Sequence, residues 1–273
     1  MTGSSSMHPL DQATALENLD GSSLRGQFPY AYANMVGPYG GVIAATLLNA
    51  VLTHPERQGE PVAMTVNFAA PMAEAAYAVV PKVSRTNRST QHWTLELCQD
   101  EAVVATATVF LAVRRDSWTG ADTAMPEVPS PSHIEPLDTR GYMAWVQNYQ
   151  MRMVQGGFDP SGQTGEQDNA LTRMWVRDHP PRPLDFLSLM AISDSFFPRV
   201  FIRRQQRMPA GTVSMTTYFH ADSEMLRRQG DRDILAEARG GRYYRNYYDQ
   251  DAELWSSDGD LLATTHQIAY FKG

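Results

Sequence analysis

The sequence has little of what several common classes of protein require. Its 273 residues contain a single cysteine, Cys98, which excludes an internal disulfide framework and a multi-cysteine zinc site. Acidic residues outnumber basic ones by 30 to 23, giving a net charge of −7. Because affinity for phosphates depends on clustered lysine and arginine, this balance argues against a general nucleic-acid or anionic-membrane binder. We therefore expect no nucleic-acid partner and no membrane partner.

Long apolar segments are also missing. The longest runs, such as residues 42–48, fall far below the roughly 20 residues that a transmembrane helix needs. The first ten residues, MTGSSSMHPL, lack the basic stretch and apolar core of a secretory signal peptide. We therefore expect a cytoplasmic protein.

Several catalytic and cofactor motifs do not occur in the sequence. There is no G-x-S-x-G nucleophile elbow, which argues against a covalent serine mechanism. The seven histidines include no H-E-x-x-H pair, and no glycine-rich phosphate-binding motif is present. We therefore expect no metal and no cofactor. With 42% hydrophobic and 19% charged residues, the composition is that of a folded globular protein.

The sequence does contain one pattern written twice, on either side of a proline-rich segment at residues 124–136. In each half, an apolar helix precedes several strands in which polar and apolar residues alternate. The first half has a helix at 40–52 and strands at 63–71, 93–99 and 102–113; the second has a helix at 183–198 and strands at 212–220, 247–255 and 261–271. This order predicts an α+β fold of antiparallel sheets, divided into an N-terminal module at 1–125, a linker at 126–137 and a C-terminal module at 138–273.

The strand pattern is clearest in residues 247–271. In 247–255, Asp249, Asp251 and Glu253 line one face and Tyr248, Ala252 and Leu254 line the other, so that the strand has one polar and one mostly apolar face. The segment SSDGD at 256–260 follows, and its glycine accepts the positive φ of a tight turn. Together these segments predict a β-hairpin.

The two copies of the pattern differ at two positions. When their last strands are aligned, Val109 of the first copy matches Gln267 of the second, and the first helix has apolar residues where the second carries Asp194. A continuous helix over 183–198 places Asp194 on an apolar stripe, seven residues after Leu187. Burial there raises the pKa of a carboxyl group and demands a hydrogen-bond partner. This asymmetry predicts a single active site, carried mainly by the second half.

Gln267 and Thr212 are the candidate partners of Asp194. An amide and a hydroxyl both donate and accept hydrogen bonds, so the two can orient a water molecule beside a carboxylate that takes its proton. Three further hydroxyls close to Thr212, two of which share its face in a regular strand, stay open as alternatives: Ser214, Thr216 and Thr217.

Three segments together resemble a known family. AISDSFFP at 191–198, TVSMTTYFH at 212–220 and DGDLLATTHQIAYF at 258–271 are similar to segments of the double-hotdog acyl-CoA thioesterases, the bacterial type II class. The order of motifs extends the resemblance over roughly residues 20–273. The resemblance implies two fused hotdog modules, each an antiparallel sheet wrapped on a long central helix.

The same resemblance implies an activity and a set of site residues. The activity is hydrolysis of acyl-CoA-type thioesters to a free acid and a thiol, as part of fatty-acid metabolism. Asp194, Thr212 and Gln267 correspond to the residues that activate water in the family. Gly40 and Gly41, at the start of the first helix, correspond to a part of the acyl-CoA site. Coenzyme A is then a portion of the substrate and not a cofactor.

Other interpretations stay open. A hotdog hydratase or dehydratase acts on similar thioesters but pairs its aspartate with a histidine about five residues later, where this chain has Arg199. A non-catalytic acyl-thioester-binding protein would keep the cavity and lose only hydrolysis. Ala70 and Ala221 stand where the family commonly has basic residues, which leaves two alternatives to acyl-CoA open: an ester of acyl carrier protein or a shorter thioester. We also expect a possible homo-oligomer.

Overall fold

Thirteen strands form one antiparallel sheet in the computed structural model, which describes residues 7–159, 161 and 163–273. In chain order the strands are β1 (Glu17–Asn18), β2 (Leu24–Gly26), β3 (Glu60–Phe68), β4 (Tyr77–Thr86), β5 (Thr90–Gln99), β6 (Ala102–Ala112), β7 (Tyr149–Gln155), β8 (Thr172–Asp178), β9 (Ala210–Phe219), β10 (Ile234–Arg239), β11 (Tyr243–Tyr244), β12 (Tyr247–Trp255) and β13 (Leu261–Phe271). The helices are α1 (Pro9–Thr14), α2 (Gly40–Leu52), α3 (Phe186–Ile192), α4 (Arg199–Arg204) and α5 (Ser223–Gln229). Three short 3-10 helices cover Tyr30–Tyr32, Pro131–His133 and Ala144–Asn148.

The order of strands is symmetric about the centre of the sheet: each strand of the first half has a counterpart from the second half at the same distance from the centre. It runs β1-β2-β4-β5-β6-β3-β9-β13-β12-β10-β8-β7, with β11 paired to β12. The halves meet where β3 pairs with β9, and Thr65 lies opposite Thr216 in this pairing. Their hydroxyl oxygens are 2.9 Å apart. Met64 lies opposite Thr217 and Val66 opposite Met215, so the two threonines mark a local twofold axis between the halves.

The first central helix has the bounds that the sequence predicts. In α2, ten of the 13 residues are buried, which identifies it as a core helix and not an amphipathic surface helix. It ends at Leu52, and the chain then turns through Thr53 and His54 before Pro55, which has no N–H to continue the helical hydrogen bonds. The helix packs against β4, β5 and β6 and contacts α3.

The second central helix is much shorter than predicted, and the expectation of a continuous helix at 183–198 is wrong. α3 begins after Asp185, whose side chain caps it, and ends at Ile192 after seven residues. The chain then tightens: the N–H groups of Asp194 and Ser195 donate to the carbonyls three residues earlier, at 3.2 and 2.9 Å. Pro198 disfavours helical geometry in the residue before it. A separate helix, α4, starts directly after the proline, so the second module lacks the long central helix that we expected.

The predicted strands and hairpins are present. β12 and β13 have the predicted bounds, and the SSDGD turn joins them with Gly259 at a φ of +94°. The first-half turn CQDEA at 98–102 is tighter, because only Asp100 and Glu101 separate β5 from β6, and both have a positive φ. The apolar face of β12 is buried, as its alternation predicts.

The proline-rich segment between the halves contains no strand and one short 3-10 helix. It docks on the outer face of the second half, where Trp175 Nε1 donates to the Pro129 carbonyl at 2.9 Å. Met125 and Val128 pack beside the same tryptophan. Across the part of the chain that the structure describes, helices are too short or too polar to cross a lipid bilayer.

Candidate active site

Three side chains from separate elements form one hydrogen-bonded chain. Thr212 Oγ1, on β9, donates to Gln267 Oε1 on β13 at 3.1 Å. Gln267 Nε2 donates in turn to Asp194 Oδ1, in the turn after α3, at 2.9 Å. The amide of Gln267 is therefore engaged at both ends, and its orientation directs an N–H group toward the carboxylate. The structure thus brings together the three residues that the sequence nominated for water activation.

An irregularity in β9 turns Thr212 toward Gln267. Gln267 lies opposite Met215 and Ile268 opposite Ser214, but Ala269 lies opposite Thr212, which leaves Val213 as an extra residue. A bulge of this kind reverses which residues face the core. The expectation that Ser214 and Thr216 share a face with Thr212 assumed a regular strand and is wrong.

The alternative hydroxyls have different surroundings. Ser214 Oγ donates to Asn67 on β3 at 2.9 Å, and Thr216 contacts Thr65 at the same distance. Thr217 is fully buried, and its hydroxyl has no partner among the residues that the structure describes. Thr212 is therefore the hydroxyl of this group that contacts Gln267.

The carboxylate of Asp194 lies in surroundings that favour its protonated form. Burial raises the pKa of Asp194 to about 7, although hydrogen bonds from Gln267 and from the backbone N–H of Gly41 lower it. A pKa in this range suits a group that takes and returns protons at neutral pH. Asp194 is thus equipped to act as a general base.

The two glycines at the start of α2 allow the carboxylate to approach the helix. A Cβ atom on Gly40 would lie 2.7 Å from Asp194 Oδ2. A Cβ atom on Gly41 would lie 2.5 Å from the carbonyl oxygen of Ala191 and 2.6 Å from the Tyr39 ring. Side chains at either position would therefore separate the two helices or displace Asp194. Gly40 lines the cavity described below, whereas Gly41 contacts Asp194 and the end of α3.

The start of α2 also offers backbone N–H groups that other parts of the molecule or a ligand can contact. The N-terminal N–H groups of a helix lack intrahelical partners, and they add a partial positive charge. Tyr39 precedes the helix and provides no side-chain cap. Its hydroxyl instead donates to the Ala191 carbonyl at 2.6 Å, and its ring stacks on Trp145 with the centroids 4.3 Å apart. Tyr39 thereby fixes the start of α2 against the end of α3.

A cavity of about 280 Å³ opens beside these groups. Its walls are mostly apolar, and its polar end holds the hydrogen-bonded chain. The lining residues that matter below are Gly40, Phe68, Asp194, Thr212, Gln250 and Gln267. Among the described residues that line the cavity there is no lysine, arginine or histidine. An apolar cavity with a few convergent polar groups is the usual form of a small-molecule site.

Arg199, five residues after Asp194, does not line this cavity. Its guanidinium is fully buried and donates to the carbonyls of Phe197 and Ala170 at 2.6 and 2.9 Å, and to the Thr172 hydroxyl at 2.7 Å. Burial lowers its pKa to about 10. Arg199 therefore holds the backbone of the loop after Asp194 and is not placed to act on a bound molecule.

Gln250 is a cavity residue that the sequence analysis did not identify. It lies on the apolar face of β12 between Tyr248 and Ala252 and is 5% exposed. A polar residue inside an otherwise apolar strand face is the signal that could have found it.

The chain is similar to families and structures of related activity. Residues 124–271 match the family model described as the acyl-CoA thioesterase C-terminal domain, and residues 30–112 match the acyl-CoA thioesterase N-terminal domain. No curated protein sequence matches the chain.

Among solved structures, a hotdog-fold protein of unknown function from Alicyclobacillus acidocaldarius is 46% identical, with a TM-score of 0.93, covering 98% of this chain and 99% of its own. A putative thioesterase II from Thermobifida fusca is 15% identical, with a TM-score of 0.85 and coverage of 98% and 99%. The acyl-CoA thioesterase II TesB2 of Mycobacterium marinum is 16% identical, with a TM-score of 0.75 and coverage of 96% and 98%. The predicted hotdog fold is thereby confirmed.

Proposed function

The chain belongs to the acyl-CoA thioesterase family, and on that premise we propose that it hydrolyses acyl-CoA-type thioesters with a water molecule activated by Asp194, Thr212 and Gln267. The observation that carries this proposal is the continuous hydrogen-bonded chain from Thr212 through Gln267 to Asp194, at the polar end of an apolar cavity. The apolar walls suit an acyl chain, and the polar end suits the reacting carbonyl.

The proposed reaction needs no covalent intermediate with the enzyme. The ionised carboxylate of Asp194 takes a proton from water as the water oxygen attacks the thioester carbonyl carbon. The resulting tetrahedral intermediate collapses with cleavage of the C–S bond, and Asp194 returns the proton to the departing thiolate. Thr212 and Gln267 orient the carboxylate and the water. A pKa of about 7 keeps a large share of Asp194 ionised at neutral pH.

The oxyanion is stabilised in this proposal at the start of α2. Attack on the carbonyl places negative charge on its oxygen, which needs preorganised donors nearby. The N–H group of Gly40 and the positive end of the α2 dipole are suited to this task, since Gly40 lines the cavity and Tyr39 does not cap the helix. Gly40 is thus a proposed substrate-binding residue, and Gly41 serves the site by donating to Asp194.

The other catalytic reading fits the site less well. A hydratase of this fold would need a second acid–base group near Asp194, and the residue in that place, Arg199, is buried in contact with backbone carbonyls outside the cavity.

Several broader expectations stay predictions. The division into modules at 1–125 and 138–273, joined by a linker at 126–137, is supported by the palindromic strand order. A homo-oligomer, a cytoplasmic location and a role in fatty-acid metabolism are three further predictions. Acyl carrier protein is the alternative carrier of the thiol, because the described lining of the cavity has no cation to meet the phosphates of coenzyme A.

The test is thiol release from acyl-CoAs of increasing chain length by wild type, Asp194→Asn and Gln267→Ala. We expect wild-type turnover, a loss of about 10³-fold or more in Asp194→Asn and of about 10²-fold in Gln267→Ala. Asp231→Asn, at an exposed position, is the matched control and should retain full activity. Undiminished activity in Asp194→Asn would refute the assigned site. Tight acyl-CoA binding without thiol release from any ester would favour the binding protein.

A further inference from the structure

Two glutamines lie side by side in the cavity, and only one of them is engaged. Gln250 on β12 is directly opposite Gln267 on β13 in the strand pairing, and both line the cavity. The amide of Gln267 contacts Thr212 and Asp194. No side-chain hydrogen bond of Gln250 occurs among the described residues, and although the residue is only 5% exposed, its amide atoms are not fully enclosed by protein and open onto the cavity.

An amide that opens onto the cavity and takes no part in the hydrogen-bonded chain calls for an explanation. A buried polar group without a hydrogen bond destabilises the fold, so most are paired with protein or with a bound molecule. The first half shows that the fold does not require polarity here: Trp93 lies opposite Val109 as Gln250 lies opposite Gln267. The Gln250 amide is therefore free to contact what the cavity binds.

The position of Gln250 specifies which part of a substrate it can contact. Directly opposite residues in an antiparallel pair have Cβ atoms about 5 Å apart. A thioester carbonyl held beside Gln267 and Asp194 therefore places acyl carbons two or three bonds away next to Gln250. Because an amide both donates and accepts, a hydroxyl group is a matching partner.

The rest of the cavity restricts the substrate further. A negatively charged substituent would face Asp194, and none of the described lining residues is a cation that could pair with it. The volume of about 280 Å³ is slightly below the roughly 300–1,000 Å³ that is usual for ligand pockets, and so favours a short chain. We propose that Gln250 determines specificity by hydrogen-bonding an uncharged hydroxyl-type substituent near C3 of a short acyl chain, an inference that rests on the proposed thioesterase function.

The test compares butyryl-CoA with each enantiomer of 3-hydroxybutyryl-CoA. We expect wild type to show a kcat/KM at least about 10-fold higher for one 3-hydroxy ester, because a substrate lacking the hydroxyl leaves the Gln250 amide unpaired. Gln250→Met, similar in length but without the amide, should bring the esters within about threefold of each other by slowing only the hydroxylated one. Glu253→Gln, on the opposite face of β12, is the control and should keep the preference.

Three results would overturn the proposal: equal kcat/KM for the esters in wild type, a preference that survives in Gln250→Met, or an equal loss for all esters in that variant. The last result would place Gln250 at the reacting carbonyl. The wild-type comparison needs no variant, and Gln250→Leu is the substitute if Gln250→Met does not fold.

Calorimetric binding of the same esters to Asp194→Asn separates this inference from the proposed function. Preferential binding of a 3-hydroxy ester would support the role of Gln250 even if wild type released no thiol. Turnover and binding without discrimination would refute that role and leave the hydrolase intact.

Discussion

The two halves of the molecule have the same order of strands, but they differ at corresponding positions, where the second half has polar residues and the first half has apolar ones. Counted from the residue before each central helix, Asp194 corresponds to Leu48. The shift that relates β3 to β9 pairs Thr212 with Pro61, and each lies beside a bulge. Gln267 corresponds to Val109, which is buried beside Met64 and Trp93. Each member of the hydrogen-bonded chain thus has an apolar counterpart.

The starts of the two central helices also differ, because α3 has a side-chain cap and α2 has none. α3 is capped, since Asp185 accepts a hydrogen bond from the Ser188 N–H at 2.9 Å. α2 begins with two glycines and no side-chain cap, and it is the start of α2 that meets Asp194. A fused pair of modules therefore needs only one glycine-rich helix start from the first half and one set of polar side chains from the second. The unused helix start and the unused strand positions are free to serve stability.

The largest expected effect concerns the stability cost of Asp194. Its pKa is raised from 3.8 to about 7 in the folded protein, so the folded state holds more protons than the unfolded state between these values. The contribution of Asp194 to the free energy of unfolding therefore falls by about 4 kcal/mol in total as the pH rises from the lower to the higher of these pKa values. Asp194→Asn should be about 2–4 kcal/mol more stable than wild type at pH 8. The gain falls toward about 2 kcal/mol if one hydrogen bond is lost, because the single amide oxygen of asparagine replaces two carboxylate oxygens as acceptor for Gln267 and the Gly41 N–H.

Urea unfolding of wild type and Asp194→Asn at pH 5 and pH 8 measures this difference. The gain should shrink to less than half at pH 5, where the wild-type carboxyl is protonated when folded. Asp231→Asn, at an exposed site, should show no such gain. If the stability difference between wild type and Asp194→Asn does not change with pH, ionising Asp194 costs no folding stability. Asp194 would then not differ in this respect from its apolar counterpart, Leu48.

The second effect separates catalysis from folding at the start of α2. Gly40→Ala should lower kcat/KM by about 100-fold, because its Cβ would displace the flexible end of Asp194, and a shift of about 1 Å in a reacting group has this effect. Stability should change little, since the atom displaced is the end of a side chain. Gly157→Ala, which has open space around its Cβ, is the control. Full activity in Gly40→Ala would show that this helix start does not shape the site.

The third effect tests whether the first half can accept polarity. Val109→Gln should destabilise the protein by about 2 kcal/mol, because the new amide is buried beside Met64 and Trp93 without the partners that Gln267 has. Val109→Met, of similar length and without polar atoms, separates this cost from overpacking and should cost less. Activity should be unchanged in both. Equal stability of the two variants would show that the apolar filling of the first half is not required.

Sequence reasoning succeeded where a local pattern determines the structure. Alternation and turn residues predicted β12, β13 and the hairpin between them, and a mostly apolar segment predicted α2. The contrast between Val109 and Gln267 predicted which half carries the polar groups. These features depend on side-chain periodicity and on glycine in a turn, both of which can be read from a few neighbouring residues.

It failed where the outcome depended on packing between distant segments. The end of α3 at Ile192 follows from a tightened turn before Pro198, whereas the apolar stripe suggested a longer helix. The extra residue at Val213 leaves no trace in the alternation of β9, although it decides which hydroxyl contacts Gln267. The contact between Gly41 and Asp194 joins residues far apart in the chain. The resemblance placed Gly40 and Gly41 at the acyl-CoA site, but the direct contact of the first helix with Asp194 was not foreseen.

The smallest effect concerns the helix start that the site does not use. Asp185→Ala should lower stability by about 1 kcal/mol through loss of the α3 cap, with no change in activity. Asp185→Asn keeps a capping oxygen but removes the ion pair with Arg182, which is 2.6 Å long and half-exposed on the aspartate side. Because exposed ion pairs contribute little, Asp185→Asn should lie within a few tenths of a kcal/mol of wild type. Chemical unfolding of both variants distinguishes the cap from the charge: if Asn costs as much as Ala, the ion pair holds this helix start, and the contrast between a capped α3 and an uncapped α2 has no energetic basis.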